Sequence, residues 1–219
     1  MNCFSWNFRG LGNHRRVWEL SDMVKAKGPK VVFLMETKKK KSYLERLRCR
    51  LKFDNLFIML RRNLGGRLAL LWMNDLDLHV WTFLPWHIDA MVNPWIDDTW
   101  CFTGFYGVPD VANREDSWSV LRHLSSQFNL SLVYIRDFNE ITKLGEKSGG
   151  AIRPENQMQN FRDWLDVCGL KDLGFSSLPF TWCNRRFNSQ VVWVRLDRAL
   201  VTSEWLLKFP MVRLHHLSG

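Results

Sequence analysis

Paired cysteines are missing: Cys3, Cys49, Cys101, Cys168 and Cys183 stand singly across 219 residues, odd in number and without a C-x-x-C pair. That excludes a disulfide scaffold and a thiolate zinc site, and it fits a reducing compartment. Long apolar runs are missing too. Even Leu68 to Met73 is soon followed by Asn74 and Asp75, short of the roughly 18 to 20 residues that span a bilayer, so no membrane association is expected. The opening Met1-Asn2-Cys3-Phe4-Ser5-Trp6 has no basic segment leading into an apolar stretch and does not read as a signal peptide. The expected location is therefore nuclear or cytoplasmic. Linkers, repeats and low-complexity tracts are absent as well, which predicts a single domain over residues 1–219 with no obligate protein partner.

Acidic residues are in short supply, 22 against 31 Lys and Arg, for a formal charge of +9. The whole excess lies between Lys38 and Arg67, where eleven basic residues face only Glu45 and Asp54. A solvated helix face and a contact with phosphates explain that segment equally well. What the chain does have is apolar substance: 46% hydrophobic residues suffice for a sizeable core and exclude wholesale disorder.

Apolar periodicity switches repeatedly between strand and helix. Cys3 to Phe8 alternates like a strand. Val17, Leu20 and Val24 follow at helical spacing and stop at Gly28-Pro29, residues that end a helix and prevent its continuation. Lys30 to Met35 predicts a buried strand and Lys40 to Arg50 a basic helix. Strands are then predicted over Phe53–Arg61, Leu68–Met73, Leu78–Leu84, His87–Val92 and Thr99–Tyr106. The second half predicts a helix over Arg114–Phe128, a strand over Leu130–Ile135, a helix over Glu155–Val167, and short strands at Phe180–Cys183 and Val191–Leu196. Strands with helices interspersed in both halves imply an α/β fold, a four-layer α/β sandwich of two packed mixed β-sheets flanked by helices.

Several polar residues fall where these strands end: Asn7, Glu36, Tyr106, Asp137 and Asn139. Strand ends in α/β sheets face the crevice where ligands bind. Carboxylates with an amide and a phenol, and no His or Cys cluster, suit a hard, oxygen-liganded cation such as Mg²⁺, which in turn suits phosphate substrates. Each residue alone is equally an ordinary turn or strand terminus, and their order carries the case.

Taken in order, the segments resemble the endonuclease/exonuclease/phosphatase superfamily, most closely the endonuclease domain of plant LINE-type (non-LTR) retrotransposons. Trp6-Asn7-Phe8-Arg9-Gly10-Leu11-Gly12-Asn13 is similar to the family's opening motif, Phe33-Leu34-Met35-Glu36-Thr37-Lys38 to its metal-ligand motif, Phe102 to Gly107 to its FTGFYG segment, and Asp137-Phe138-Asn139-Glu140-Ile141 to GDFNEI. Glu146 to Gly150, Cys168 to Phe175, Phe180-Thr181-Trp182 and Arg195-Leu196-Asp197-Arg198-Ala199 follow in the family's order. The resemblance spans nearly the whole chain. It implies hydrolysis of a DNA phosphodiester with Mg²⁺, or Mn²⁺ on the same oxygen ligands. Glu36 and Asn7 would hold the metal. Asp137 would orient or deprotonate the attacking water, Asn139 would hold phosphate or water in line, and Tyr106 would donate to a non-bridging oxygen. Asp197 would orient a catalytic histidine.

Four departures from the family pattern stand out. The terminal Ser-Asp-His motif has no counterpart after His215-His216-Leu217, so the fold is expected to miss its last strand and the activity to be impaired; a strand histidine with a structural partner is the expected role of His215 and His216. Arg136 replaces the glycine before Asp137. Arg67 is an extra residue in Gly65-Gly66-Arg67-Leu68-Ala69. Val194 stands where a Glu usually precedes Arg-Leu-Asp-Arg, which removes an ion-pair partner. The alternatives to a nuclease are a nucleic-acid-binding module without catalysis and a phosphatase of the same superfamily.

Overall fold

Alternation and helical spacing both reappear as elements in the computed structural model, which describes residues 1–8, 14–61, 65–107, 110, 118–119, 122, 131–186 and 190–217. Two compact units make up the chain, Met1–Gly104 and Phe105–Gly219, and each is described by itself.

In the first unit, β1 (Cys3–Asn7), β2 (Val31–Lys39), β3 (Asn55–Arg61) and β4 (Gly65–Trp72) form a sheet of order β1-β2-β4-β3. β1 runs parallel to β2, while β2 and β3 both run antiparallel to β4. β1 and β2 run parallel because helix α1 (His14–Lys27) carries the chain back between them. Val17, Leu20 and Val24 of α1 and Leu44, Leu47 and Leu51 of α2 (Lys41–Leu51) bury one stripe each against Phe4, Trp6, Val32, Leu34, Ala69 and Leu71 of the sheet. Each helix stops where a residue turns left-handed. Gly28 has φ +54° and donates its N–H to Val24; Lys52 has φ 61°, and the N–H groups of Lys52 and Phe53 close the last turn on Cys49 and Arg48.

β5 (Leu78–Leu84) and β6 (His87–Val92) form an antiparallel hairpin, and β7 (Trp100–Tyr106) is the next neighbour of β6. Gly104 of β7 lies on Phe33; an added Cβ there would meet the ring at 2.4 Å, so only glycine fits the interior face at that point.

In the second unit, β13 (Asp197–Val201) lies between β8 (Leu132–Asp137) and β10 (Lys171–Asp172), antiparallel to both. A small sheet joins β9 (Lys147–Ser148), β12 (Trp193–Val194) and β11 (Trp182–Cys183). Helix α3 (Glu155–Val167) buries Met158, Phe161, Trp164 and Leu165, and the short α4 (Ser203–Lys208) is capped by the Thr202 hydroxyl. Phe138 packs among Phe105, Phe161 and Trp164.

The expected α/β class with mixed sheets is what the chain forms. Two details differ. The strand expected over Val191–Leu196 is only β12, and the longer strand begins at Asp197 instead. The expected helix Arg114–Phe128 lies largely outside the described residues, as does Gly10 to Asn13 of the opening motif; Trp118, Ser119 and Arg122 are helical.

Candidate active site

Glu36 owes its position to a break in strand pairing. From Met35 to Lys39, β2 advances four residues while β4 advances two, Leu68 to Gly66. The surplus forms a bulge in which Glu36 (φ 50°) and Lys38 (φ 47°) are left-handed. L-residues with side chains adopt that conformation at a cost of about 1–2 kcal/mol each, and bulges of this kind re-aim side chains next to sites. The neighbouring strand supplies Asn7, the residue paired with Met35. Its Nδ2 donates to Glu36 Oε1 at 3.2 Å, with both side chains part-buried. The two residues expected to hold a metal are thus side by side. Their amide and carboxylate oxygens are hard donors, and a pair of protein ligands suits a cation that keeps most of its water, as Mg²⁺ does. Among the described residues no group of three or more His, Cys, Asp or Glu side chains has the arrangement of a metal cluster.

In the second unit, Asp137 is the last residue of β8 and lies directly opposite Asp197, the first residue of β13. Like charges at paired positions of antiparallel strands are destabilising, so their retention side by side is a mark of a site and not of a scaffold. The Asp137 carboxylate accepts the N–H of Asn139 at 2.8 Å, closing a tight Asx turn around the fully buried Phe138. Asn139 is left-handed (φ 56°), which asparagine tolerates, and its Nδ2 donates to the carbonyl of Gly107 at 2.8 Å. Gly107 in turn donates its N–H to the Asp137 carbonyl at 2.7 Å. Tyr106, buried, is the residue immediately before Gly107. Tyr106, Asp137, Asn139 and Asp197 are therefore gathered at one corner. Asn7 and Glu36 are gathered at another, in the first unit.

Sequence reasoning missed three parts of this corner. Gly107 is one: a Cβ there would lie 2.9 Å from the Asp137 carbonyl oxygen and 3.1 Å from the Phe138 carbonyl carbon, so the glycine after Tyr106 is required by close backbone approach. Thr181 is another, because its hydroxyl accepts the N–H groups of both Leu196 and Asp197 at 3.0 Å. The third is an ion-pair lattice on either side of Asp197. Arg195 bonds Glu146 at 2.8 Å and Asp172 at 2.7 Å; Arg198 bonds Asp172 at 2.7 Å and Glu146 through both of its terminal nitrogens.

Burial acts to raise the pKa values of Glu146 and Asp172. The hydrogen bonds and charges of the two arginines outweigh it and leave both carboxyls below their ordinary values. The loss of an ion-pair partner expected from Val194 is thereby corrected, since two acids from distant motifs supply what the neighbouring position does not. The signal was present in the sequence as acidic residues inside the Glu146–Gly150 and Cys168–Phe175 segments.

The other departures resolve locally. Arg136 continues β8 in regular register opposite Arg198, so the backbone there is of a kind any residue adopts; its side chain lies outside the description. Arg67 is absorbed within β4, which takes two steps from Leu68 to Gly66 while β3 takes one from Met59 to Leu60. His215 Nδ1 lies 3.0 Å from the Ser176 hydroxyl, and His216 Nδ1 lies 2.7 Å from the Leu178 carbonyl, its ring stacked on Phe175. Both histidines have the structural partners expected of them.

No family model and no curated protein matches the chain by sequence. Solved structures match its fold. The endonuclease domain of TRAS1, a telomere-specific non-LTR retrotransposon, aligns with a TM-score of 0.69 at 13% identity, over 92% of this chain and 85% of that one. The 3′-5′ exonuclease NExo from Neisseria meningitidis aligns at 0.69 with 17% identity, over 99% and 96%. An AP endonuclease from Archaeoglobus fulgidus aligns at 0.66 with 13% identity, over 92% and 86%. At such identities the likeness establishes architecture, and the architecture is the α/β fold of endonuclease/exonuclease/phosphatase proteins.

Proposed function

We propose that the chain is a divalent-metal-dependent phosphodiester hydrolase acting on DNA, descended from a plant LINE-type retrotransposon endonuclease, with Mg²⁺ as its ion and Mn²⁺ as a substitute. The observation that carries this reading is the corner of Asp137, Asn139 and Asp197 held by Gly107 and Thr181, since a structural turn has no need of opposed carboxylates on paired strands. The order of motifs and the fold shared with named nucleases support it.

Glu36 and Asn7 would hold the metal, which neutralises charge on a phosphate and its leaving oxygen. The Asp137 carboxylate, oriented by the Asn139 N–H, accepts a proton from water or orients that water for in-line attack. Asn139 fixes the turn and offers its side chain to the phosphate. Tyr106 donates its phenolic proton to a non-bridging oxygen. Among the described residues no histidine is poised as general acid or base: His79 pairs with Asp77, His87 is buried in the first unit, and His215 and His216 are bonded to Ser176 and Leu178. Missing general acid–base help costs about 10²- to 10⁴-fold in rate, so slow hydrolysis is the expected behaviour.

Supercoiled plasmid incubated with Mg²⁺ tests this reading. Slow nicking that EDTA, Glu36→Ala and Asp137→Asn each abolish is the expected result. Nicking that survives Asp137→Asn would discard the assigned corner. Release of phosphate only from a DNA 3′ end, with no nicking, would place the chain among phosphatases of the same fold.

A further inference from the structure

The sequence places all excess charge in one segment without saying what that charge faces, and the structure separates it into parts. Within the helical side of the first unit, Lys39, Tyr43, Arg46 and Arg50 recur at intervals of four, three and four residues, which puts them on one ridge of α2 and its lead-in. The ridge is interleaved with aromatic rings. Lys39 Nζ lies 5.3 Å and the Arg46 guanidinium 5.9 Å from the centroid of Tyr43, and the Arg50 guanidinium sits 4.6 Å over the ring of Trp18 on α1. Trp18 is 57% exposed although it belongs to a helix with a well-buried opposite stripe.

Acid does not balance these charges. The Glu45 carboxylate is bonded to Arg48 at 3.0 Å, and Glu19 is shared by Arg15 and Arg16. Among the described residues no carboxylate pairs with Lys39, Lys40, Arg46 or Arg50. An ordinary solvated helix face intersperses its signs and gains from i,i+4 pairs. This one uses up its two acids elsewhere and leaves a one-sign ridge. Stacking on Tyr43 and Trp18 also restrains long side chains that would otherwise lose freedom on binding, the loss that weakens most lysine and arginine contacts.

We propose that this ridge, Trp18 with Lys39, Lys40, Tyr43, Arg46 and Arg50, is a docking surface for the phosphate backbone of duplex DNA, separate from the residues assigned to chemistry. Successive guanidiniums four residues apart on a helix stand about 6 Å apart along its axis. That is close to two base-pair steps of about 3.4 Å on one strand. The contact positions DNA and reads no sequence, since nothing in the ridge is an amide or carboxylate suited to base edges. It rests on the reading of the chain as a DNA hydrolase for the choice of ligand only, because the contact itself needs neither metal nor turnover.

The test is fluorescence anisotropy of the full chain with a labelled 20-base-pair duplex in EDTA, across a series of salt concentrations. Replacement of Lys39, Lys40, Arg46 and Arg50 by Gln should weaken binding more than about tenfold near 0.1 M salt and make the log–log salt slope shallower by about 3 to 4, one near-unit step per lost phosphate contact. A second quadruple, Lys143, Lys171, Arg185 and Arg186 to Gln, removes the same charge from exposed positions of the second unit and should change both readings far less. Arg46→Lys with Arg50→Lys keeps the charge and should keep the slope. Equal weakening by the two quadruples would reduce the effect to net charge and overturn the proposal. So would unchanged duplex binding by the ridge variant, including the case in which that variant loses binding only to vesicles of anionic phospholipid. Because Asp137→Asn is expected to abolish nicking and leave this binding intact, failure of the hydrolase reading and failure of the docking surface give different results.

Discussion

The two units bury polar groups in opposite ways. In the second, Arg195, Arg198, Glu146 and Asp172 enter the interior fully charged, and each finds partners at hydrogen-bond distance. In the first, His87 and Asp89 on β6 are buried without an ionic partner; Asp89 accepts a hydrogen bond from Thr103, and neither ring nitrogen of His87 has a partner. Burial alone pushes the His87 pKa down to about 4. It pushes that of Asp89 up to about 6, against the opposing hydrogen bond from Thr103. One unit has solved desolvation by pairing ions and the other by keeping its groups neutral. The first solution ties distant segments together, and the second leaves a unit responsive to protons.

The largest expected effect breaks the paired side. Arg198→Met should cost about 3–5 kcal/mol in a denaturant melt, because it strands two buried carboxylates. A loss below 1 kcal/mol would show that the lattice is not what holds β13 beside its neighbours.

The neutral side should be broken by pH. His87, with a lowered pKa, contributes stability that is complete above its ordinary value of 6.5 and is lost as pH falls toward 4; Asp89, with a raised pKa, contributes stability that is complete below 3.8 and is lost as pH rises through 6. Between pH 4 and 6.5 the two trends oppose, each worth on the order of 2–3 kcal/mol. Asp89→Asn removes one of them. Thermal melts of that variant should therefore fall more steeply than wild type between pH 6.5 and 4, and parallel curves would refute the assignment. Glu146 and Asp172 act lower, holding their stabilisation above their ordinary values of 4.5 and 3.8 and losing it below.

Smaller effects sharpen the contrast at the candidate site. Gly107→Ala places a methyl against the backbone of Asp137 and Phe138, and a cost of about 1–3 kcal/mol is expected by chemical denaturation. Glu36→Gly should do the reverse. It removes a side chain from a left-handed position and should gain up to about 1 kcal/mol in the same measurement while removing a metal ligand. A destabilised Glu36→Gly chain would mean that the carboxylate holds the bulge together.

Much of this was legible in the sequence, and the misses have physical causes. Strand and helix periods placed β1, β5, β6, α1, α2 and α3 within a residue or two, because each buries a simple apolar face. β13 was misplaced because Arg198 looks like a residue that should end a buried strand, and the acids that neutralise it come from Glu146 and Asp172, far away along the chain. The candidate ligands could be chosen from strand ends, yet the left-handed turn at Glu36 had no local mark, since Glu-Thr-Lys carries no glycine or asparagine. Gly107 was visible as a glycine but not as a spacer between two strand ends.

Arg67 shows how a chain hides a change of length. Its extra step is spent within β4, and Leu68 to Trp72 keep the same partners on β2 and β3 as though nothing had been inserted. Strand interiors are usually taken as the places where insertions and deletions are forbidden and loops as the places where they collect. Here a strand next to the candidate ligand Glu36 has taken up the slack itself, which makes the length of this strand a poor ruler for aligning related chains and its register beyond the bulge a good one.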